Sequence, residues 1–436
     1  MVIRMKKQTW KSFLAYIGFG AVSGTATAAI LILYKYLAEH AIHLSETAYH
    51  HLRGHLWLVP AAVAGLLAVA WVLTRIYKRL PDLQGSGIPA AIASIRGLSR
   101  FSWWKTLIGT FALSLSSFLL GIPLGNEGPA VQIGTAVGRG AARLTDKRHA
   151  DWARYAMTGG ACAGFAIATG APLAGFLFGM EEAHRKMSPS LATVSATAVA
   201  FATVTAKWLA PFFGVSTALF SVTATPTLPL SAAWIPLCVG VALGLLAVGF
   251  LAYYRVIRHL LNHTLRRVPQ FYKIGGILLL TLTAGLFSGE FLSTGHHLTL
   301  SLYEGGYALW LLALLLLVRT SLTLGASVSG ITGGTFVPTL VLGALGAALL
   351  AGGLQALGMD PTYYPTVITL GLVACVAGMM KMPITAVAFA VEALGCRHNL
   401  LAVLAVCVIP YLFTEICGAH SIIEMVLEAK EKSSQS

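Results

Sequence analysis

The most constraining feature of this sequence is its long apolar segments, which very few charged residues interrupt. Ser12 to Leu33 holds 22 residues without a charge, and Leu56 to Thr74 is also uncharged. With a rise of about 1.5 Å per residue, about 20 such residues cross the roughly 30 Å hydrocarbon core of a bilayer. We therefore predict a membrane-spanning helical hairpin from these two segments.

Composition extends this prediction to the whole chain. Of the 436 residues, 56% are hydrophobic and only 11% are charged, with a mean hydropathy of +0.76, whereas soluble domains have about 25% charged residues. This excludes soluble-enzyme, disordered, fibrous and disulfide-scaffold classes, and predicts an all-α polytopic membrane protein. The net charge of +14 includes no basic stretch flanked by aromatics, so we expect no nucleic-acid partner.

Basic residues flank the predicted hairpin on both sides. They are Arg4, Lys6, Lys7 and Lys11 before it, and Arg75, Lys78 and Arg79 after it. The predicted loop from Tyr34 to His55 has only two basic residues, so the positive-inside rule makes both ends of the hairpin cytoplasmic. This loop also carries His40, His43, His50, His51 and His55. Metal binding, pH sensing and simple solvation all remain open for these histidines.

The N-terminal apolar run is not predicted to be a signal peptide. The apolar run after MVIRMKK is too long for a signal peptide and lacks a cleavage site, so it is predicted to be retained.

The six cysteines include no C-x-x-C pair and are predicted to be buried thiols, with no metal, cofactor or disulfide framework. They are Cys162, Cys238, Cys375, Cys396, Cys407 and Cys417.

Beyond residue 80, Gly and Pro repeatedly break the apolar runs. The breaks are GSGIP at 85–89, GIPLGNEGP at 121–129, GAPLAG at 170–175, GITGGTFVP at 330–338 and KMP at 381–383. In lipid, interrupted backbone persists only where protein or a water-filled cavity satisfies it. Five breaks together are typical of discontinuous helices around an ion or solute pathway, although each one alone is also compatible with an ordinary loop.

The chain contains an internal repeat. The six-residue segments 129–134 and 338–343, which both begin with Pro and end with Gly, match at an offset of 209. The segments 170–181 and 381–392 match at an offset of 211, with Pro, Phe and Glu aligned. We predict two inverted halves, 12–215 and 236–427, around one midplane site, with a cytoplasmic N-terminal segment 1–11 and a cytoplasmic tail 428–436.

Three of the breaks could form an anion site. A helix N-terminus presents unpaired N–H groups and a partial positive charge, and glycine beside it permits close approach. Such ends are predicted at 85–89, where Ser86 adds a hydroxyl, at 125–129 and at 334–338. None of these segments has a Lys or Arg, so an anion would be held weakly enough to leave, as transport requires.

Two glutamates are candidates for proton transfer. Glu127 is the only ionisable residue between Leu107 and Val137, and its carboxylate at an anion-attracting helix end would compete with the anion until protonated. The alternative is that it caps its helix. Glu182 could transfer protons from the cytoplasm, whereas Glu181 matches Glu392 in the repeat and is expected to be structural; the alternative for both is an amphipathic helix end.

Taken in order, these motifs resemble the CLC family of chloride channels and proton–chloride antiporters across essentially the whole chain. The resemblance implies a homodimer with one pore per subunit. It implies Glu127 as the external gate and Glu182 as the internal proton-transfer residue. The implied anion-binding positions are Ser86, Gly87, Ile88, Thr335, Phe336 and Ile423.

The chain departs from the family pattern at three positions. Asn126 stands where the family usually has Arg, and Ala90 replaces an acid that often follows GSGIP. Ile423 aligns with the tyrosine whose hydroxyl helps to hold the central anion. Fluoride-exporting relatives also lack this tyrosine, but Ser86 and GTFVP favour chloride.

The sequence therefore predicts a transporter that exchanges chloride for protons, in the bacterial inner membrane, with both termini in the cytoplasm. The alternatives are a passive chloride channel, a fluoride–proton antiporter and, more remotely, an intramembrane serine protease. The protease would use Ser327 or Ser329 with His398 or His420. No motif suggests any other enzyme.

Overall fold

The computed structural model describes residues 2–145, 150–220 and 225–435. Within these ranges the chain forms seventeen α-helices, and its only strand-like pairing is a single antiparallel bridge between Gly125 and Gly334. Nine of the described helical segments are long and apolar enough to cross a membrane. The predicted all-α, polytopic architecture is confirmed.

Eight helices precede the segment around residues 215–233. They are α1 (Val2–Gly54), α2 (Val59–Arg79), α3 (Ile88–Ile95), α4 (Trp103–Leu119), α5 (Glu127–Thr145), α6 (Ala150–Thr169), α7 (Pro172–Phe178) and α8 (Pro189–Phe213). A π-helical turn, Gly179–His184, extends α7.

Nine helices follow. They are α9 (Trp234–His259), α10 (Gln270–Phe287), α11 (His296–Glu304), α12 (Leu309–Val328), α13 (Phe336–Ala356), α14 (Tyr364–Met379), α15 (Pro383–Glu392), α16 (Leu400–Ile416) and α17 (Ile422–Gln435). Of the nine described spans, α13 and α14 are the most deeply buried, while α8 and α16 expose large apolar side chains such as Trp208 and Leu401.

The first helix corrects the predicted hairpin loop. The segment from Tyr34 to His55 is not a loop, because α1 continues without a break to Gly54. No Gly or Pro occurs between residues 34 and 53, so nothing in the sequence stops the helix before Gly54. At 53 residues, α1 is about 80 Å long. Since this far exceeds the hydrocarbon core, α1 must tilt or extend beyond it.

The repeat found in the sequence is visible in helix packing. α5 crosses α6 where Gly134 faces Gly160, and α13 crosses α14 where Gly343 faces Gly371; a Cβ on any of the four would overlap backbone or a neighbouring side chain. Gly134 and Gly343 are 209 residues apart, and Gly160 and Gly371 are 211 apart. Small residues let two helices approach closely. The two helix pairs are therefore equivalent contacts in the two halves.

The cysteines differ partly from the prediction. All six are free thiols, and four are buried, but Cys238 is only half-buried and Cys417 is exposed. Cys417 follows the last residue of α16, where the chain leaves the helix bundle. The prediction of six buried thiols is therefore wrong for Cys417, because apolar neighbours in sequence do not bury a residue at a helix end.

Candidate functional site

Three of the predicted helix breaks meet at one place. The amide of Gly125 donates to the carbonyl of Gly334 at 2.7 Å, and the amide of Gly334 donates back to Gly125 at 2.7 Å. Gly85 is joined in the same way to Gly330 and Gly333, with N–O distances of 3.2 Å. These reciprocal bonds satisfy backbone groups that would otherwise be unpaired at membrane depth. Segments from both halves of the chain thus form one site.

Glycine is required where these segments touch. A Cβ on Gly128 would overlap the carbonyl oxygen of Ser86 and lie 2.8 Å from the Cα of Gly334. Gly87 has a φ of +85° and its Cβ would be 2.5 Å from the carbonyl oxygen of Gly128. L-residues rarely adopt such a φ. Backbone contact and dihedral angle together explain the glycine-rich breaks.

The helix N-termini that follow these breaks carry the predicted anion-binding residues. α3 begins at Ile88 and α13 at Phe336, with Ser86 and Thr335 buried just before them. The Phe336 ring packs edge-on against Phe165, with ring centroids 5.1 Å apart. The aligned backbone N–H groups at these ends provide positive potential without a cationic side chain.

Ile423 belongs to the same buried cluster as Ile88 and Phe336, and it is 2% exposed. It is the second residue of α17, which packs against α3. The structure therefore packs the last helix of the chain against α3, with a buried apolar side chain at position 423.

Glu127 is fully buried at the first residue of α5. Among the described residues no side chain donates a hydrogen bond to its carboxylate, which instead faces the backbone amides of Glu127 and Val337. Its Oε2 lies 2.5 Å from the position that a Cβ on Gly125 would take, beside Val337 and Pro338 of α13. The carboxylate therefore folds back between the N-termini of α5 and α13.

Glu182 lies in the π-helical turn after α7 and is 2% exposed. Its Oε1 has no hydrogen-bond partner among the described residues. Arg96 donates to the backbone carbonyls of Glu182 and Ala183, at 2.7 and 3.0 Å. A buried carboxylate near a cation, without a fixed partner, can take up and release a proton. Because Glu182 is buried, it differs from a glutamate at a solvated, amphipathic helix end.

Glu181 has a different environment from its neighbour. Its carboxylate accepts hydrogen bonds from the amides of Ile384 and Thr385, at 2.9 and 2.7 Å, and from the Thr385 hydroxyl at 2.6 Å. These donors belong to the first turn of α15. Glu181 is therefore a capping residue for that helix.

A cavity of about 900 Å³ lies at the end of the bundle where α1 reaches Gly54. Its lining includes Asn126 and Val337, which adjoin Glu127, and it also includes Lys35. Lys35 is 7% exposed. Lys35 falls within the predicted loop, and the sequence predicts no cation in the breaks themselves. An isolated Lys within the apolar run ILILYKYLA was the signal that could have identified it.

The histidines of the former loop lie along α1 or just after it. His40 Nδ1 donates to the carbonyl oxygen of Tyr36 at 2.8 Å, and the rings of His51 and His55 are in contact with a centroid distance of 4.8 Å. His43 and His50 line the cavity. Among the described residues, no group of three or more His, Cys, Asp or Glu side chains is arranged to hold a metal ion.

The protease alternative is not supported by the site. Ser329 is buried and its hydroxyl has no hydrogen-bond partner among the described residues. His420 lies instead beside Glu428, with an Nδ1–Oε1 distance of 3.1 Å. A serine nucleophile requires a base within hydrogen-bond reach, and this pairing is missing.

Comparison with known proteins is consistent with this geometry. Residues 64–415 match the family described as "Voltage gated chloride channel". The H(+)/Cl(−) exchange transporter ClcA of Vibrio vulnificus strain YJ016 is 28% identical over 451 residues, which cover 99% of this chain and 95% of that protein. ClcA of Citrobacter koseri is 27% identical over 458 residues, covering 100% and 93% of the two chains.

Solved structures show the same architecture. A slow cyanobacterial Cl−/H+ antiporter superposes with a TM-score of 0.80 at 25% identity, over 96% of this chain and 97% of that one. A CLC-type fluoride/proton antiporter superposes with a TM-score of 0.76 at 19% identity, over 92% and 95%. At such low identity the second match shows similarity of fold alone.

Proposed function

This chain belongs to the voltage gated chloride channel family, and on that basis we propose that it is a secondary active transporter that exchanges chloride for protons. It is not an enzyme, and it is a multi-pass integral membrane protein. The relatives named H(+)/Cl(−) exchange transporter support the proposal. The observation that carries it is the buried carboxylate of Glu127 between the N-termini of α5 and α13.

The proposed anion site lies at the N-termini of α3 and α13. Ser86, Gly87 and Ile88 provide one side, with the Ser86 hydroxyl as a donor. The backbone amides of Thr335 and Phe336 provide the other, and Ile423 closes the site with an apolar surface. Helix dipoles favour a small anion there without trapping it.

Glu127 is the proposed gate. Its carboxylate occupies the place at the helix ends that an anion would otherwise take, since both are attracted by the same positive potential. Protonation removes the negative charge, so the side chain can leave and chloride can bind. One residue thereby makes anion and proton occupancy mutually exclusive, which is the requirement for exchange.

Glu182 is the proposed proton-transfer residue on the cytoplasmic side. Its burial and its lack of a partner at Oε1 support the role. The passive-channel alternative differs here, since a channel needs no second buried carboxylate. Ser86 at the proposed anion site favours chloride exchange over the fluoride alternative.

We assign both termini to the cytoplasm, in the inner membrane of a bacterium, and the chain to a homodimer. The basic residues at the end of α2 support this orientation. The named relatives are bacterial, which supports the inner-membrane assignment. The family resemblance supports both the homodimer and the two inverted halves. Crosslinking in native membranes would test the homodimer.

The deciding experiment uses the purified protein in liposomes. A chloride gradient is imposed, and chloride and internal pH are followed together. We expect chloride efflux to drive protons inward against their gradient. Chloride flux without proton movement would indicate a passive channel, and a response to fluoride but not to chloride would indicate the fluoride antiporter.

A further inference from the structure

Lys35 is a buried cation at the mouth of the site. It lies on α1 with 7% of its surface exposed. Its Nζ donates to the carbonyl oxygens of Ser216, at 3.1 Å, and Ile167, at 3.5 Å. Ile167 belongs to the last turn of α6, where the helix dipole is negative and favours a cation. The ammonium group is therefore fixed in position.

Lys35 interacts with the charges of Glu39 and Glu127, but over a longer distance than a direct ion pair. No Asp or Glu of the described ranges lies within the 4.0 Å ion-pair distance of its Nζ. Burying an unpaired ammonium is costly, so such a residue at membrane depth is a candidate for function. A lysine has three N–H donors, and two of them are used by the carbonyls. The third is available.

A second buried cation provides the contrast. Arg319 is 1% exposed, and its guanidinium donates to the carbonyls of Glu290, Leu292 and Ser293. Arg319 does not line the cavity, whereas Lys35 does. Arg319 therefore fixes a loop, while Lys35 has both a free donor and access to the cavity.

The position of Lys35 connects the cavity with the gate. Asn126 and Val337 line the same cavity. Asn126 precedes Glu127 in the chain, and Val337 lies beside the Glu127 carboxylate. Asn126 is uncharged, so it contributes no attraction for an anion at this point. Glu39 and Glu290 also line the cavity and repel anions. Lys35 is the buried positive charge at the inner end of an otherwise mixed surface.

We propose that Lys35 is the docking residue for chloride that reaches the gate from this cavity. The inference rests on the proposed exchange function and specifies how the anion is received on this side. Chloride accepts the third N–H of Lys35 and waits there while Glu127 occupies the helix ends. When Glu127 is protonated and moves away, the chloride passes to the helix N-termini. Lys35 thus sets the chloride affinity of one face of the protein only.

The test measures chloride uptake in membrane vesicles of defined orientation. Right-side-out vesicles present the cavity to the bath, and inverted vesicles present the opposite face. Lys35→Met is expected to raise the half-saturating chloride concentration about tenfold at the cavity face, as the loss of one hydrogen bond to a charged partner would give. The opposite face and the protons moved per chloride should be unchanged.

Three variants keep the result interpretable. Lys35→Arg preserves the charge, so its half-saturating chloride concentration should stay within about twofold of that of the unmutated protein. Such a change is well below the tenfold step that corresponds to 1.4 kcal/mol. Lys35→Gln has no charge but can still donate a hydrogen bond to the carbonyl of Ser216. It should raise the half-saturating chloride concentration as Lys35→Met does, and it replaces Lys35→Met as the test if that variant folds poorly. Arg53→Met removes a charge from the same cavity, where Arg53 already donates to the carbonyl of Tyr49 at 3.3 Å. It should have little effect.

Equal shifts at both faces, or an Arg53→Met effect as large as that of Lys35→Met, would overturn the inference. An unchanged affinity in folded Lys35→Gln would do the same and leave Lys35 a structural tie between α1 and α6. These outcomes differ from failure of the proposed function, in which the unmutated protein itself moves no protons with chloride.

Discussion

Glu181 and Glu392 each cap a helix of the opposite half. The Glu181 carboxylate accepts from the amide of Thr385 at 2.7 Å, and the Glu392 carboxylate accepts from the amide of Ala174 at 3.1 Å. Glu181 and Glu392 are 211 residues apart, and so are Ala174 and Thr385. The carboxylates stabilise the N-terminal ends of α15 and α7, respectively, where the helix dipole is positive. The expected structural role of the matched glutamates is confirmed.

These caps are unequal in strength. Glu181 accepts three hydrogen bonds, and Glu392 accepts one. We expect Glu181→Ala to lower the free energy of unfolding by about 1.5–3 kcal/mol, typical of hydrogen bonds to a charged group, and Glu392→Ala by about 0.5–2 kcal/mol, typical of a lost cap. Thermal unfolding in detergent would measure both. A larger effect for Glu392→Ala would contradict the ranking.

The gate assignment predicts that Glu127→Gln abolishes proton transport. The amide resembles the protonated carboxyl permanently, so chloride should continue to move and its flux should not depend on pH. Parallel chloride and pH recordings in liposomes would measure this. Glu46→Gln, a matched change at the cavity wall, should leave coupling intact. Continued uphill proton pumping by Glu127→Gln would refute the gate.

Adjacent glutamates provide the test of the second proton residue. Glu182→Gln should suppress proton flux while chloride still moves, since Glu182 is buried without a fixed partner and lies away from the anion-binding helix ends. Glu181→Gln retains an acceptor for the α15 amides and should keep the proton-to-chloride ratio. If both variants lose both fluxes equally, the two glutamates have a folding role only.

Ile423 is predicted to weaken the central anion site because it provides no hydroxyl. Ile423→Tyr should add a hydrogen bond to the anion, worth about 1.5–3 kcal/mol, and tighten chloride binding by about 10- to 150-fold. Calorimetry would measure the affinity, and the protons moved per chloride should approach a fixed ratio.

Since Ile423 is buried, the larger ring of Ile423→Tyr also costs packing energy. Ile423→Phe has the same ring without the hydroxyl and is the matched control. Equal affinities for the two variants would show that the hydroxyl does not reach the anion.

The last helix, α17, gives a pH-dependent prediction. Glu424 of α17 accepts from Arg185 at 2.6 Å and from the amide of Ser421 at 2.8 Å. Burial acts to raise the pKa of Glu424, but the Ser421 amide, Arg185 and Lys381 outweigh it and hold the pKa below its ordinary value. The ionised form is therefore favoured in the folded protein.

A lowered pKa stabilises the folded state above the unfolded pKa of about 4.3, and this stability is lost as pH falls through the folded value. We expect Glu424→Gln to lower the unfolding temperature at pH 7, by an amount corresponding to about 1–2 kcal/mol, and to match the unmutated protein near pH 3. Thermal scans across this range would measure it. A constant difference at all pH values would contradict the prediction.

The sequence by itself determined the membrane class, the helix breaks, the repeat and the prominence of Glu127. These features depend on local physical chemistry. Apolar length sets the spans, Gly and Pro interrupt helices wherever they occur, and a lone carboxylate in an apolar segment is conspicuous without knowledge of its neighbours.

Only the tertiary structure decided which distant groups meet. Helix α1 continues past the predicted loop boundary and carries Lys35 to a cavity beside Asn126, 91 positions further along the chain. The Gly125–Gly334 bonds and the different environments of Glu181 and Glu182 likewise depend on how the two halves pack. Side-chain identity fixes what a residue can do, but its burial and partners are set by helices that are far apart in sequence.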